Sequence, residues 1–329
     1  MALAGAVGLA LALAACGAPD DTPPVTVLGD VGAPPVVQFD TPLEVASQEI
    51  TTLIAGDGPA LTDGGPVVLA LTSYDGHTGE LLDLQTAGRA RVLRLTSADV
   101  GADLHGALTG ATEGSRLLVT QPVAEPAGEP AEDGTDESTD APADDATDAP
   151  TDEGTEAPTD GPTDAPTDSA TAGRMLVIVV DVLRTSATGV AVEGAGVPGV
   201  SVGDGEGGAP TLAVEPGAAP PEKLAVAQVL RGTGEPVRPG QEVTVQYLGL
   251  VWDSGEVYDS TWSAERGPQV LAVDDTFPGL REALLDQPVG SRVLVVAPPA
   301  QAFGTQTLAL VVDVLATWGG DPADVVAAT

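Results

Sequence analysis

Apolar and polar positions alternate along residues 241–251. Val243, Val245 and Tyr247 are separated by Thr244 and Gln246, the period of a strand that buries one face. Trp252-Asp253-Ser254-Gly255 predicts a turn, after which Val257 and Tyr258 lead into Asp259, so one hairpin carries two tyrosines and a carboxylate. A helical stripe follows: Pro278 suits the first turn of a helix, and Leu280, Leu284 and Leu285 fall on one face. Strand-like runs also lie at 211–214 and 223–230, and in the first half at 36–39, 45–54 and 67–72. Strands punctuated by Gly and Pro around few helices predict an α+β fold.

The pattern occurs twice. Gly56-Asp57-Gly58 overlies Gly232-Thr233-Gly234 at an offset of 176 residues, and the same offset places Val67 on Val243, Asp83 on Asp259 and Pro122 on Pro298. It also places Gly114-Ser115-Arg116 on Gly290-Ser291-Arg292. The closing strand matches at an offset of 132, Asp181 on Asp313, so the first copy holds 44 additional residues.

Those residues fall within the acidic tract 124–173, with repeats such as Ala157-Pro158-Thr159-Asp160 and Ala165-Pro166-Thr167-Asp168. A tract without apolar periodicity buries too little surface to offset ordering entropy, so a disordered, solvated insertion is expected within the first domain. The net charge of −37 argues against nucleic acid, whose phosphates need Lys and Arg. Two His and one Cys supply no zinc set and no disulfide framework, and neither His77 nor His105 has a sequence neighbour that makes it a catalytic base. No metal or cofactor is expected. Seven of the nine Phe, Tyr and Trp residues lie from Tyr247 onward, which places any aromatic binding surface in the C-terminal copy.

Residues 1–15 form an Ala/Leu/Gly/Val run closing on Leu13-Ala14-Ala15-Cys16-Gly17. The run resembles the bacterial lipobox, which implies lipidation of Cys16 and a protein tethered on the extracytoplasmic face of the cell membrane; an ordinary apolar leader is the other reading. The sequence therefore divides into a leader at 1–16, a tether at 17–35, a first domain at 36–188, a linker at 189–209, a second domain at 210–320 and a tail at 321–329.

The segment VTVQYLGLVWDSGEVYDS, followed by Phe277-Pro278-Gly279-Leu280, Val289-Gly290-Ser291-Arg292, Pro298-Pro299 and Ala302-Phe303-Gly304, resembles the FKBP-type peptidyl-prolyl cis-trans isomerases. The resemblance runs from about residue 223 to 318. It implies two FKBP-like domains, each a twisted antiparallel half-barrel wrapped over one short helix, with the first copy degenerate. It further implies that Tyr247 and Tyr258 wall a pocket, that Asp259 is its polar edge, that the Phe277 N–H anchors a substrate carbonyl, and that Leu280 and Phe303 form floor and rim. Each of these also reads as plain core packing, and Asp259 as the ion-pair partner of Arg266.

This chain departs from the family pattern in several places. Leu280 stands where the family has a floor Trp, Phe303 where it has a rim Tyr, the cap loop is cut short between Thr305 and Thr307, and an aromatic wall near Gln269 is missing. Macrolide binding, which the resemblance also implies, is weakened accordingly. The first copy has Leu71, Leu82 and Leu104 at the two tyrosine positions and the floor, retaining Asp83 alone. The reading is an isomerase acting on proline-containing exported polypeptides; the alternatives are a non-catalytic peptide-binding or chaperone-like lipoprotein, and a structural lipoprotein of the cell envelope.

Overall fold

The computed structural model of the chain describes residues 25–122, 175–262 and 266–320. The lipobox, the acidic tract and the tail lie outside them.

The first unit opens with β1 (Val25–Leu28) and β2 (Val36–Phe39), an antiparallel hairpin. Then come β3 (Glu49–Ile54), β4 (Pro66–Asp75), β5 (Leu81–Leu82), β6 (Ala90–Arg94), α1 (Ser97–Val100), α2 (Ala102–Leu108), β7 (Arg116–Pro122) and β8 (Met175–Val182). The second unit comprises β9 (Val190–Ala191), a second hairpin of β10 (Val200–Asp204) and β11 (Pro210–Val214), and then β12 (Ala225–Arg231), β13 (Gln241–Val251), β14 (Val257–Ser260), β15 (Gln269–Ala272), α3 (Pro278–Leu284), β16 (Arg292–Ala297) and β17 (Leu308–Gly319).

The larger sheets run β3-β7-β8-β4-β5, with β6 on β4, and β14-β13-β17-β16-β12-β9, with β15 on β13. Apart from β9, they share one antiparallel order read from opposite ends. Each inner face packs on its helix, through Val67, Leu69, Leu108, Leu117 and Val180 in one unit and Val243, Val245, Leu280, Leu284 and Val312 in the other.

Buried polar groups mark the repeat more sharply than the apolar ones. Arg116 donates to Asp181 at 2.6 and 2.7 Å, and Arg292 to Asp313 at 2.6 and 2.8 Å, all four side chains being buried. The Ser115 hydroxyl accepts from Gly56 N–H, and that of Ser291 from Gly232 N–H, each at 2.9 Å. Both glycines are obligatory: a Cβ would sit 2.2 Å from the Glu113 carbonyl oxygen in one copy and 2.1 Å from that of Val289 in the other.

The repeat is longer than the sequence suggests. Residues 25–35 were expected in a tether and 200–209 in a linker, but both belong to hairpins that cover the outer faces of the sheets. Val25, Val27, Val37 and Phe39 pack with Leu118 and Val177, while Val200, Val202, Leu212 and Val214 pack with Leu294, Val296 and Ala309. The buried arginines hold the hairpin turns: Arg116 donates to the carbonyls of Gly29, Asp30 and Ala33, and Arg292 to that of Gly208. Pro, Gly and Asp in these segments are turn residues between apolar strands. The expected strand at 45–54 begins only at Glu49.

Candidate functional site

The site lies where β13, β14 and the start of α3 converge. Val243 and Val245 anchor β13 in the core, and Tyr247 is the next residue on that face, half-buried against the same cluster. Opposite it, the pairing of β13 with β14 shifts register between Gly249 and Leu250, a bulge that places Asp259 across from Gly249. Bulges re-aim side chains, and this one aims a carboxylate at the tyrosine. The Tyr247 hydroxyl donates to Asp259 Oδ2 at 2.6 Å, the length of a charge-assisted bond. Asp259 Oδ1 accepts from the Ser260 N–H at 2.9 Å and is ion-paired with Arg266.

These contacts fix the protonation states. Burial pushes the Tyr247 hydroxyl up to about 12, with the bond to Asp259 and its charge adding to the effect. Burial also pushes Asp259 up, but the bonds from Tyr247, Arg266 and the Ser260 N–H outweigh it and hold the carboxyl below its ordinary value. At neutral pH the pair is a neutral phenol on a carboxylate, and neither group is poised to exchange a proton.

Aromatic rings form the other side. Phe303 stacks on Tyr258 at 5.9 Å between centroids and meets Phe277 edge-on at 5.0 Å. Tyr258 and Phe303 remain 46% and 58% exposed, so the rings line an open surface. Phe277 caps α3 ahead of Pro278, and among the described residues nothing accepts its backbone N–H. Leu280 is buried in the core cluster against which Tyr247 and Phe277 pack. The segment from Ala302 to Thr307 is short enough that β17 resumes at Leu308, which leaves Phe303 lying over Phe277.

All six candidate residues of this domain thus meet, with Phe277 common to the ring cluster and the core. Sequence reasoning gave Arg266 only as a bland partner of Asp259, although seven residues on a returning loop is within reach. It missed Thr261, fully buried, whose hydroxyl accepts from Tyr247 N–H at 2.8 Å. Cys16 lies outside the described residues.

The first unit lacks the arrangement. β4 and β5 pair without a bulge, and Asp83 leaves the strand at φ +50 to bond Thr86. Leu71, Leu82 and Asp83 line a cavity of about 100 Å³, below the ~300 Å³ of ordinary ligand sites, and Leu104 packs against the core. His105 does have a partner, Asp63 at 2.7 Å, but the two lie on the surface of this unit. Among the described residues no three potential metal ligands cluster, and no helix is long and apolar enough to cross a membrane.

A family model described as FKBP-type peptidyl-prolyl cis-trans isomerase matches residues 233–313. A probable FK506-binding protein of Corynebacterium glutamicum is 33% identical over 86 residues, covering 26% of this chain and 72% of that protein. An FK506-binding protein of Streptomyces anulatus is 30% identical over 90 residues, 27% of this chain and 73% of its own. The crystal structure of the three FKBP domains of wheat FKBP73 aligns over 83% of this chain and 95% of its own at 16% identity and a TM-score of 0.29.

Proposed function

Because the chain belongs to the FKBP-type peptidyl-prolyl cis-trans isomerases, we propose that the surface between Tyr247, Tyr258, Phe277 and Phe303 rotates X-Pro bonds in exported polypeptides. The observation that carries this is the Phe277 N–H, without an acceptor among the described residues, on a residue whose ring meets Phe303, itself stacked on Tyr258, and which packs on the same core cluster as Tyr247, the donor to Asp259.

Rotation about an amide loses resonance at a barrier of ~18–20 kcal/mol. The twisted amide carries less charge separation than the planar one. An apolar wall therefore disfavours the ground state relative to the transition state, and each ~1.4 kcal/mol of difference is tenfold in rate. The rings of Tyr258, Phe277 and Phe303 would hold the prolyl ring, and the Phe277 N–H would fix the carbonyl on its far side. Asp259 and Tyr247 keep one wall in place without moving a proton. No covalent step is needed.

Leu280, where the resemblance expects an aromatic floor, and the shortened cap argue for modest turnover, and the placement of Phe303 against Phe277 favours a second reading, a module that binds extended segments without accelerating them. A protease-coupled isomerisation assay beside peptide titration separates the two: binding with a rate equal to buffer would leave the second alone. The first unit, with leucines at both tyrosine positions, is a degenerate copy without isomerase activity. Cys16 lipidation would place the protein on the extracytoplasmic membrane surface. Cys16→Ala should then release it to the soluble fraction, and unchanged fractionation would refute the anchor.

A further inference from the structure

The two units are docked through groups that look like ordinary surface residues in the sequence. Arg89 of the first unit forms a two-pronged ion pair with Glu242 of β13, at 2.7 Å from Nε and 2.6 Å from Nη2. Its guanidinium lies 5.2 Å from the ring centroid of Trp318, whose indole N–H donates to the Ala87 carbonyl at 3.1 Å. Glu242 and Trp318 are cross-strand partners, so one turn of the first unit grips the paired ends of β13 and β17. Ala316 of β17 packs on a cluster of Val68, Ala70, Ala90 and Leu183.

Two further contacts lead from this interface to the site. The backbone of Gly267, at φ +66, lies so close to the first unit that a Cβ there would be 2.9 Å from Cβ of Pro66. The preceding residue is Arg266, which faces a cavity of about 280 Å³ whose other walls are Pro66, Val92, Leu93, Arg94 and Asp99 of the first unit. On the other flank, buried Gln246 donates to the Thr185 carbonyl at 2.6 Å, and its side-chain carbonyl lies 3.5 Å from the Thr261 hydroxyl, whose single proton is shared between it and the Tyr247 carbonyl at 3.3 Å. Thr261 is the residue that holds Tyr247 N–H, and Thr185 N–H is held by Glu113 of the first unit at 3.0 Å. The Arg266 side chain is 41% exposed, and a long side chain that free does not by itself hold a carboxylate in one geometry. The next residue, Gly267, whose backbone lies against Pro66, supplies the missing constraint.

We propose that the first unit is a positioning element of the isomerase site, setting the Arg266 turn through Pro66 and the Gln246 segment through Thr185, so that Asp259 keeps its alignment on Tyr247. This rests on the isomerase reading of the second unit. Pro66, Arg89 and Thr185 touch no substrate; they act through Arg266, Gln246 and Thr261. The degenerate copy is thereby a working part of the enzyme.

The test uses the full chain with Pro66→Gly, which removes the Cβ facing Gly267, and Arg89→Ala combined, both outside the isomerase unit. Isomerisation kinetics are read together with the ring 13Cζ resonance of Tyr247 at neutral pH, which reports the bond its hydroxyl makes. The chain has three tyrosines, so the signals are separable. The expected result is a fall in kcat/KM of about 2- to 30-fold, the range of coupling through such networks, with a shifted Tyr247 resonance. Pro66→Gly alone, which keeps the Arg89 clamp, should shift Tyr247 in the same direction by less and covers the case in which the double variant unfolds. A Tyr247 resonance at its wild-type position overturns the proposal, whether or not kcat/KM falls, and so does an unchanged kcat/KM in an active wild type. If the wild-type chain shows no isomerase activity, it is the isomerase reading that fails, while the resonance still decides the positioning claim.

Discussion

Removing the Tyr247 hydroxyl is the most informative single change, because Tyr247→Phe keeps the ring as a wall and deletes only the donor to Asp259. A hydrogen bond to a charged acceptor contributes about 1.5–3 kcal/mol when shielded. Here the Asp259 side chain is 32% exposed, and its carboxylate keeps Arg266 and the Ser260 N–H after the change. Solvent screening brings the expected coupling down to about 1 kcal/mol. A double-mutant cycle of Tyr247→Phe, Asp259→Ala and the pair isolates it. The assay is denaturant unfolding followed by tryptophan fluorescence. Trp252, Trp262 and Trp318 all lie in the second unit, Trp318 at its contact with Ala87 and Arg89 of the first, so the signal reports that unit together with its docking. A coupling below about 0.3 kcal/mol, within the scatter of additivity, would refute the account of how the site wall is held. Isomerase activity should survive Tyr247→Phe within about tenfold and fall further in Tyr247→Ala, the outcome expected of a wall formed by the ring rather than by the hydroxyl.

Other perturbations test other parts of the structure. Arg292→Met leaves the fully buried Asp313 without its partner and should cost the second unit about 3–5 kcal/mol, whereas Arg292→Met with Asp313→Leu should recover more than 1 kcal/mol of that by denaturant midpoint. Asp259, held below its ordinary value, contributes stability above the unfolded carboxyl pKa of about 3.9 that is lost as pH falls through its lower folded value; Tyr247, raised to about 12, contributes below about 10 and loses it as pH rises from there. A pH–rate profile should therefore be flat between about pH 5 and 9, and a bell centred in that window would contradict a mechanism without proton transfer. Phe303→Ala, at an exposed position, should leave stability within about 0.5 kcal/mol yet lower kcat/KM by about 2- to 12-fold through the lost ring contacts; a faster variant would mean that Phe303 obstructs the site rather than walls it.

The repeat was legible because its strictest constraints are chemical. Gly232 cannot carry a Cβ, Ser291 satisfies the Gly232 N–H, and Arg292 must face Asp313, so these residues hold their spacing in both copies while the apolar positions drift. Tyr247 and Asp259 could be placed on one hairpin from the sequence because they flank one turn, while the bond between them comes from the structure. The two outer hairpins were not legible. Their turns concentrate Pro, Gly and Asp, the composition of a tether, and what orders them is Arg116 or Arg292 reaching from a distant strand. The docking of the units was equally hidden, since Arg89 and Glu242 are 153 residues apart and each alone is an ordinary surface charge. The bulge at Gly249 also escaped the ungapped comparison: Asp83 aligns with Asp259 in sequence but leaves its strand and faces Thr86 instead.

The central claim is that the second unit accelerates X-Pro rotation on an aromatic surface. The direct measurement is exchange NMR of a short proline peptide with the full chain, alongside Tyr247→Ala and Leu71→Ala, the corresponding change in the first unit. The expected result is a kcat/KM of about 10⁴ M⁻¹s⁻¹ or above, lost in the first variant and kept in the second. A cis–trans rate no different from peptide in buffer, or one lost equally in both variants, would contradict it.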